Sequence, residues 1–456
     1  MTSCEAIRQA LLKGFCGASV DTRLLQPGEV FFAVAGPSRH GAEFAEEAYQ
    51  KGASYVVLPE GWPAPPTIPP DRIAFHPNPL QWLGELAAAH RRQFDRPVIA
   101  IGGSNGKTTT KTLLGHLLSH RAPTLISPRS WNNALGLPLT LLRLRPEHAY
   151  AVIEIGDNHP GEVQALCEIA QPTHGLITNV GEDHLEGYGS PEANFATKWE
   201  LAQYLAEQGG QRLYLNGEDP RFRAAYAQLK RPEVRYFGGP DGGSPPGHLV
   251  GGHWYQESWH QARLELIVAG KPRTVHLPLW GSYNRLNVLA ALTVAQDFGL
   301  AWETLEAALA TSRPEALRSQ VLERGRQIVI LDAYNANPSS LLASLESLWE
   351  MKPTRVALVL GQMEELGDQA LPKHQEVWAR GVMPQAERIA GVLLVGPLWQ
   401  QAVPGPAPFP VCACLHIGQV EVSALPWLME APFLYLKGSR RQAVEQLLDR
   451  LPAPAQ

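Results

Sequence analysis

Pro97-Val-Ile-Ala-Ile101, followed by Gly102-Gly-Ser-Asn-Gly-Lys-Thr-Thr-Thr110, decides how the rest of the 456-residue chain is read. The first five residues form a short apolar run of strand type. Beyond the loop, Leu113, Leu114, Leu117 and Leu118 return on one face of a helix. A strand, a glycine loop, Lys-Thr and a helix, in that order, cradle a triphosphate. Glycines let backbone N–H groups approach phosphate oxygens, Lys107 supplies charge, and Thr108 offers a hydroxyl to Mg²⁺. The spacing departs from the usual Walker form, because Ile101 stands where G-x-x-x-x-G-K places its first glycine. A chance glycine turn is the alternative; the flanking strand and helix favour phosphate binding by Gly103, Ser104, Asn105, Gly106, Lys107, Thr108 and Thr109.

Outward from this loop, strand and helix patterns alternate. They run Val98–Ile101, Thr108–Ser119, Tyr150–Ile155, Leu176–Val180, Pro191–Glu207 and Arg212–Leu215, which argues a mostly parallel sheet with helices on both faces. Phe237–Gly252 is Gly/Pro-rich and reads as a loop. Ahead of this segment lie short apolar runs (Val30–Val34, Tyr55–Leu58), the proline-rich 59–70 and a helix over Ala87–Phe94. After it the alternation repeats: Ile328–Leu331, Leu341–Trp349, Val356–Leu360, Val392–Val395, Phe433–Leu436 and a terminal helix over Arg441–Leu451. The expected architecture is α/β with three domains. Residues 1–95 make a small N-terminal α/β domain, 96–312 a central P-loop ATPase-type doubly wound sheet, and 313–456 a smaller Rossmann-like domain.

Composition agrees with a folded, multidomain protein. Charged residues are 18% and hydrophobic residues 45%, which excludes a disordered tail as the main content. The net charge of −5 offers no basic excess for a nucleic-acid backbone, so nucleic acid is not an expected partner. Five cysteines (Cys4, Cys16, Cys167, Cys412, Cys414) contain no CxxC pair and point to a reducing compartment. The start carries Glu5, Arg8 and Lys13 and lacks a secretory apolar core. The apolar stretch Ile389–Trp399 is too short for a membrane span. A cytoplasmic protein is expected.

Three further positions carry chemistry. Glu154 ends a strand, where doubly wound folds bind ligands, and its oxygens suit Mg²⁺; an exposed strand-end acid is the alternative. His184, in Gly181-Glu-Asp-His184, is either a ligand or an ordinary loop histidine. Lys198 shares a helix face with Phe195, Leu201, Ala202 and Leu205. By pattern such a lysine snorkels its ammonium to water. The sharper alternative is a buried lysine of depressed pKa, able to add CO₂ and form a carbamate, a negatively charged metal ligand.

The combination resembles the Mur ligases, ATP-dependent amide-bond-forming enzymes of peptidoglycan synthesis. The resemblance rests on ten ordered stretches: Asp21-Thr-Arg23 with Pro27–Phe32; Gly103–Lys111; Asn132–Leu142; Glu154-Ile-Gly-Asp-Asn-His-Pro-Gly-Glu162; Thr178–Ser190; Lys198-Trp-Glu-Leu201; Gly281-Ser-Tyr-Asn-Arg-Leu-Asn287; Asp332-Ala-Tyr-Asn-Ala-Asn-Pro338; Gly361-Gln-Met-Glu-Glu-Leu-Gly367; and Lys437-Gly-Ser-Arg440. It implies ATP and two Mg²⁺ ions. Thr108 and Glu154 would hold one ion; His184 and an N6-carboxylated Lys198 would serve the second, with Lys107, His184 and Lys198 as the catalytic set. Asn284, Arg318 and Asp332 match positions that contact adenosine or the phosphates. Thr22 and Arg23 would belong to the UDP-sugar domain, and Asn335, Lys437 and Arg440 to substrate binding in the C-terminal domain.

Within the family, the Asn-Asn…Pro-Leu-Thr-Leu-Leu, Tyr-Asn-Ala-Asn-Pro and Met-Glu-Glu-Leu-Gly stretches are most similar to the member that adds D-alanyl-D-alanine to UDP-N-acetylmuramoyl-tripeptide, acting as a monomer in cell-wall synthesis, cell shape and division. The rivals are an amino-acid-adding Mur ligase, a folylpolyglutamate-type synthetase and a silent nucleotide-binding scaffold. Four departures stand out: Gly102 for threonine, Tyr283 for histidine, Gln362 for aspartate, and Asp157 for a small residue beside the metal positions.

Overall fold

The apolar runs assemble into four sheets in a computed structural model that describes residues 3–13, 17–36, 38–229, 231–238, 249–268 and 270–451. In the central sheet the strand order is Glu233–Phe237, Arg212–Asn216, His174–Ile177, Val98–Gly102, Tyr150–Glu154 and Thr124–Ile126, and every pair is parallel. Val98–Gly102 and Tyr150–Glu154 are buried along their whole length, as strands covered on both faces must be. Helix Lys107–Ser119 buries Leu113, Leu114, Leu117 and Leu118 against one face, with helix Asn284–Asp297 beside it. Strand Val98–Gly102 lies between the two strands whose ends carry Glu154 and the 178–184 loop. That places the phosphate loop at the carboxyl edge where such sheets bind ligands.

An N-terminal sheet, Ala18–Ser19, Val30–Phe32, Tyr55–Pro59 and Ile73–His76, is parallel throughout. Its Val30, Phe32 and Val57 share one core with Leu83 of helix Pro79–Arg91 and with Val98, Leu141 and Ile153 of the central segment. The C-terminal sheet runs Gln320–Arg324, Gln327–Asp332, Phe433–Lys437, Val356–Gly361, Ile389–Val395 and Val411–Cys414. It is parallel except at its first, antiparallel strand.

Three expectations need correction. Of the loop expected over 237–252, residues 239–248 lie outside the described residues, while Phe237 ends a strand and a strand begins at Leu249. That strand, Leu249–Gln256, opens an antiparallel sheet with Ala262–Val268 and Lys271–Leu277 that was not anticipated. Alternation along Ala262–Val268, with Ala262, Leu264, Leu266 and Val268 buried, is its signature. The terminal helix is broken: Ala443 takes a left-handed φ of 47° between two short turns, and only Leu447–Arg450 is α-helical. The helix expected over 87–94 starts earlier, at Pro79, where Asn78 caps it by accepting from the Gln81 N–H.

Candidate active site

The phosphate loop is held open by its own backbone. Gly103 (φ 119°) and Gly106 (φ 80°) occupy conformations that side chains rarely adopt, and a Cβ on Gly103 would lie 2.9 Å from the Asn179 carbonyl. The Asn105 N–H donates to Asn179 Oδ1 (3.0 Å), and Thr178 Oγ1 donates to the Asn105 carbonyl (2.7 Å). Lys107 heads the helix and folds its ammonium back onto the carbonyls of Gly103 and Ser104.

Thr108 and Glu154 meet directly. Thr108 Oγ1 donates to Glu154 Oε2 at 2.8 Å, and Asn132 Nδ2 donates to Glu154 Oε1 at 2.8 Å. Glu154 is therefore no exposed strand-end acid; it is 1% exposed yet lines the cleft. The Lys111 ammonium stands 3.7 Å from Glu154, and burial pushes its pKa down against the pull of Glu154 and Glu315. A buried hydroxyl and carboxylate form a hard oxygen pair that fits Mg²⁺. Among the described residues no three His, Cys, Asp or Glu side chains converge on a metal position.

His184 has a left-handed φ of 48°, and its Nδ1 lies 2.6 Å from Glu365 Oε2 of the C-terminal segment. The contact with His184 holds the Glu365 carboxyl below its usual range, against the opposing effect of burial. Lys198 does not snorkel. It is 1% exposed, with Nζ 2.7 Å from Asp157 Oδ2, 3.2 Å from the Tyr188 hydroxyl and 3.4 Å from Asp183 Oδ2. Burial pushes Asp183 up, but Lys198, Lys107 and hydrogen bonds from Ser104 and Asn194 outweigh it and leave its pKa lowered. Burial, with Asp157 adding to it, raises the Tyr188 phenol, so it stays protonated and donates to Asp157.

From the C-terminal segment, Arg318 donates to Ser130 Oγ (3.2 Å) and stacks 4.1 Å over Tyr334. Its Nε, buried in the cleft wall, has no partner among the described residues. Lys437 pairs with Asp332 and donates to the Asn335 carbonyl. Asn284 Nδ2 donates to the Trp280 carbonyl and Oδ1 accepts from Asn287. Tyr283 sets its hydroxyl 2.6 Å from Ser319 Oγ.

One cleft of about 930 Å³ gathers Ser104 to Thr109, Glu154, His184, Asn284, Arg318, Asp332, Asn335 and Lys437. Gly103 and Lys198 sit behind its wall. Thr22 and Arg23 lie away from it, on the loop after strand Ala18–Ser19, where Arg23 pairs with Asp21. Arg440 pairs with Glu445 outside the cleft. Sequence reasoning named no role for Ser130, Asn132, Lys111, Asp183 or Asn337. Of these, Lys111, Asn132, Asp183 and Asn337 lie in the stretches that carried the resemblance, but no local spacing announces the partners they meet.

A phosphate loop at the carboxyl edge of one parallel sheet, faced by cationic groups from a second doubly wound sheet, defines a nucleotide-binding enzyme architecture. Residues 101–295 match the Mur ligase middle domain and residues 317–400 the Mur ligase, glutamate ligase domain. The UDP-N-acetylmuramoyl-tripeptide–D-alanyl-D-alanine ligase of Synechocystis sp. is 34% identical over 79% of this chain and 75% of its own. A MurF structure from Acinetobacter baumannii superposes with a TM-score of 0.81 at 28% identity, covering 95% of this chain and 92% of that one. The MurF ligase of Thermotoga maritima in complex with ADP gives 0.79 at 25%, covering 96% and 97%. The chain belongs to the Mur ligase family, and it is an ATP-dependent ligase that forms an amide bond.

Proposed function

We propose that this enzyme joins D-alanyl-D-alanine to UDP-N-acetylmuramoyl-tripeptide in the cytoplasm, as a monomer. The observation that carries the reading is the single cleft in which the phosphate loop, Glu154 and the C-terminal Arg318, Asp332 and Lys437 face one another. Residues 1–95 would take the UDP-sugar end, 96–312 the ATP, and 313–456 would close over ATP and take the dipeptide.

A carboxylate does not condense with an amine, because oxide is a poor leaving group. Transfer of the ATP γ-phosphoryl to the substrate carboxylate makes an acyl phosphate; the neutral amine then attacks, and inorganic phosphate leaves. Two anions must meet in the first step. Lys107, released from its loop carbonyls, and Arg318, whose Nε has no partner among the described residues, are protein cations placed to offset that repulsion. Thr108 and Glu154 would hold one Mg²⁺, which supplies further charge stabilisation where the phosphoryl group moves. His184 would serve a second ion. The family's carbamate on Lys198 would give that ion an anionic oxygen; in this chain a carboxylate, Asp157, already stands against the same nitrogen. Closure over the cleft excludes water and protects the acyl phosphate.

The deciding test is phosphate release from MgATP with UDP-N-acetylmuramoyl-tripeptide, with and without D-Ala-D-Ala. Release that needs both, with a pentapeptide product, is the expected result. Release with a single amino acid in place of the dipeptide would move the enzyme to the amino-acid-adding class.

A further inference from the structure

One wall of the cleft has the form of a side-chain trough. Helix Glu162–Ala170 lines the cleft with Glu162, Ala165, Leu166 and Ile169, whose spacings i, i+3, i+4 and i+7 share one helix face. Leu80 and Leu135 line the cleft as well. Helix Pro79–Arg91 closes the far end, where Ile169 Cδ1 stands 3.4 Å from the place a Cβ on Gly84 would take. The helix face is apolar along its length and begins with one carboxylate. Glu162 Oε2 accepts from the Asn158 N–H at 2.6 Å, and the Asn158 carbonyl packs so closely on Gly187, three residues after His184, that a Cβ there would overlap it. The carboxylate therefore sits at the end of the trough nearest the His184 loop. The His159 N–H and ring also lie 3.3 Å from it, yet the Glu162 side chain stays 41% exposed, with room for a further donor.

Charge is uneven around this cleft. Among the described residues that line it, Lys107, Arg318 and Lys437 are the only lysines and arginines. The first two face the phosphates in the reading above, and Lys437 is paired with Asp332. The wall built by residues 154–184 carries Glu154, Asp157, Glu162 and Asp183 and no lysine or arginine. A ligand carboxylate set against that wall is left unpaired among like charges. A ligand ammonium is met there, and methylenes leading to it lie on the apolar strip. The carboxylate activated in the reaction belongs to the third residue of the tripeptide. That residue's side chain branches from the carbon bonded to the reacting one, so it is held beside the phosphate loop and within reach of this wall.

We propose that Glu162 selects the third residue of the tripeptide: it receives a side-chain ammonium carried on an aliphatic stem. The enzyme then takes a diamino monocarboxylic acid of the lysine or ornithine type and disfavours diaminopimelate, whose side chain carries a second carboxylate. The proposal rests on the ligase reading above for the tripeptide itself. Glu162 is a specificity-determining residue, and the discrimination comes as much from the cation this wall lacks as from the carboxylate it presents.

The test measures, by calorimetry, binding of UDP-N-acetylmuramoyl-tripeptides to the full chain loaded with β,γ-methylene ATP and Mg²⁺, without D-Ala-D-Ala. Three tripeptides differ only at the third residue: lysine, norleucine (the same stem without the ammonium) and diaminopimelate. Wild type should bind the lysine form roughly 10- to 100-fold more tightly than either of the others. Glu162→Gln keeps an acceptor oxygen for the Asn158 N–H; confirmed folded by its melting curve, it should bind the lysine and norleucine forms nearly alike. A Glu162 that only holds its turn would weaken all three and keep the preference, and that result would overturn the proposal. So would a wild type that binds diaminopimelate or norleucine as tightly as lysine. No acceptor is present in these measurements. An enzyme that ignored D-Ala-D-Ala would therefore sink the dipeptide assignment and leave the Glu162 result standing, whereas one that bound none of the three tripeptides would overturn both.

Discussion

Glu154 carries three neighbours on its two carboxylate oxygens, and only two of the four residues were foreseeable from local motifs. Thr108 and Glu154 were legible because each sits at a fixed place in a strand–loop–helix unit. Asn132 and Lys111 reach Glu154 from 22 and 43 positions away, and no spacing rule reports such a meeting. Lys198 shows the same limit more sharply: its helix face was read as apolar and therefore snorkelling, because the carboxylates that receive it lie on two other loops. Asn132 fixes one oxygen of Glu154. Asn132→Ala is therefore expected to raise the Mg²⁺ concentration needed for half-maximal phosphate release by roughly 10- to 100-fold, while Kd for metal-free ATP stays near wild type. An unchanged Mg²⁺ dependence would remove Asn132 from the site. Lys107→Ala should lower kcat for phosphate release by roughly 100- to 1000-fold with little change in melting temperature, since among the described residues the Lys107 ammonium hydrogen-bonds only to its own loop.

At the scale of elements, the parallel sheets were readable because buried strands appear as unbroken apolar runs. The antiparallel sheet over 249–277 escaped because its strands alternate and the first follows a Gly/Pro-rich stretch. The terminal helix was lost to Ala443, whose left-handed backbone no apolar periodicity announces. One strand also carries a pH sensitivity. His174 opens strand His174–Ile177, packs against Phe298 at 5.0 Å and contacts Thr173 Oγ1 at 2.8 Å. Burial, with Arg212 adding to it, pushes its pKa down to about 4. Its folded value lies below the unfolded value of about 6.5, so the unfolded chain binds the extra proton between these two pH values. Stability therefore rises with pH across that window and is lost as pH falls below 6.5. The full difference is about 3 kcal/mol, taking 1.36 kcal/mol per pKa unit. Urea unfolding at pH 7 and pH 4.5 should show this loss, and His174→Phe should flatten it; an equal slope in the variant would assign the acid sensitivity elsewhere.

Across the whole molecule, the central and C-terminal segments meet through apolar packing, where Trp259, Trp280 and Tyr283 join the C-terminal core, and through polar contacts that span the cleft. Arg318 reaches Ser130, Lys373 pairs with Glu182 at 2.7 Å, and His184 meets Glu365. The order of sheets along the chain was legible, but which side chains cross between them was not, because those pairs are more than 180 residues apart. Arg318→Ala removes one crossing contact and one cation from the cleft. It should lower kcat/KM for ATP by roughly 10- to 100-fold, read from phosphate release at saturating acceptor. Kinetics equal to wild type would show that Arg318 neither closes the cleft nor meets phosphate.

Asn105 gives these crossings a further meaning. Its Nδ2 donates to Ser339 Oγ at 3.0 Å, and its Oδ1 accepts from Asn337 Nδ2 at 2.8 Å, at the cap of helix Pro338–Glu350. One amide in the phosphate loop thus latches the C-terminal domain. By thermodynamic reciprocity, a nucleotide that recruits this amide loosens the latch by as much free energy as the latch withholds from the nucleotide. Weakening the latch, as in Asn337→Ala, should therefore tighten ATP binding even as it spoils alignment for transfer, so that affinity and turnover move in opposite directions.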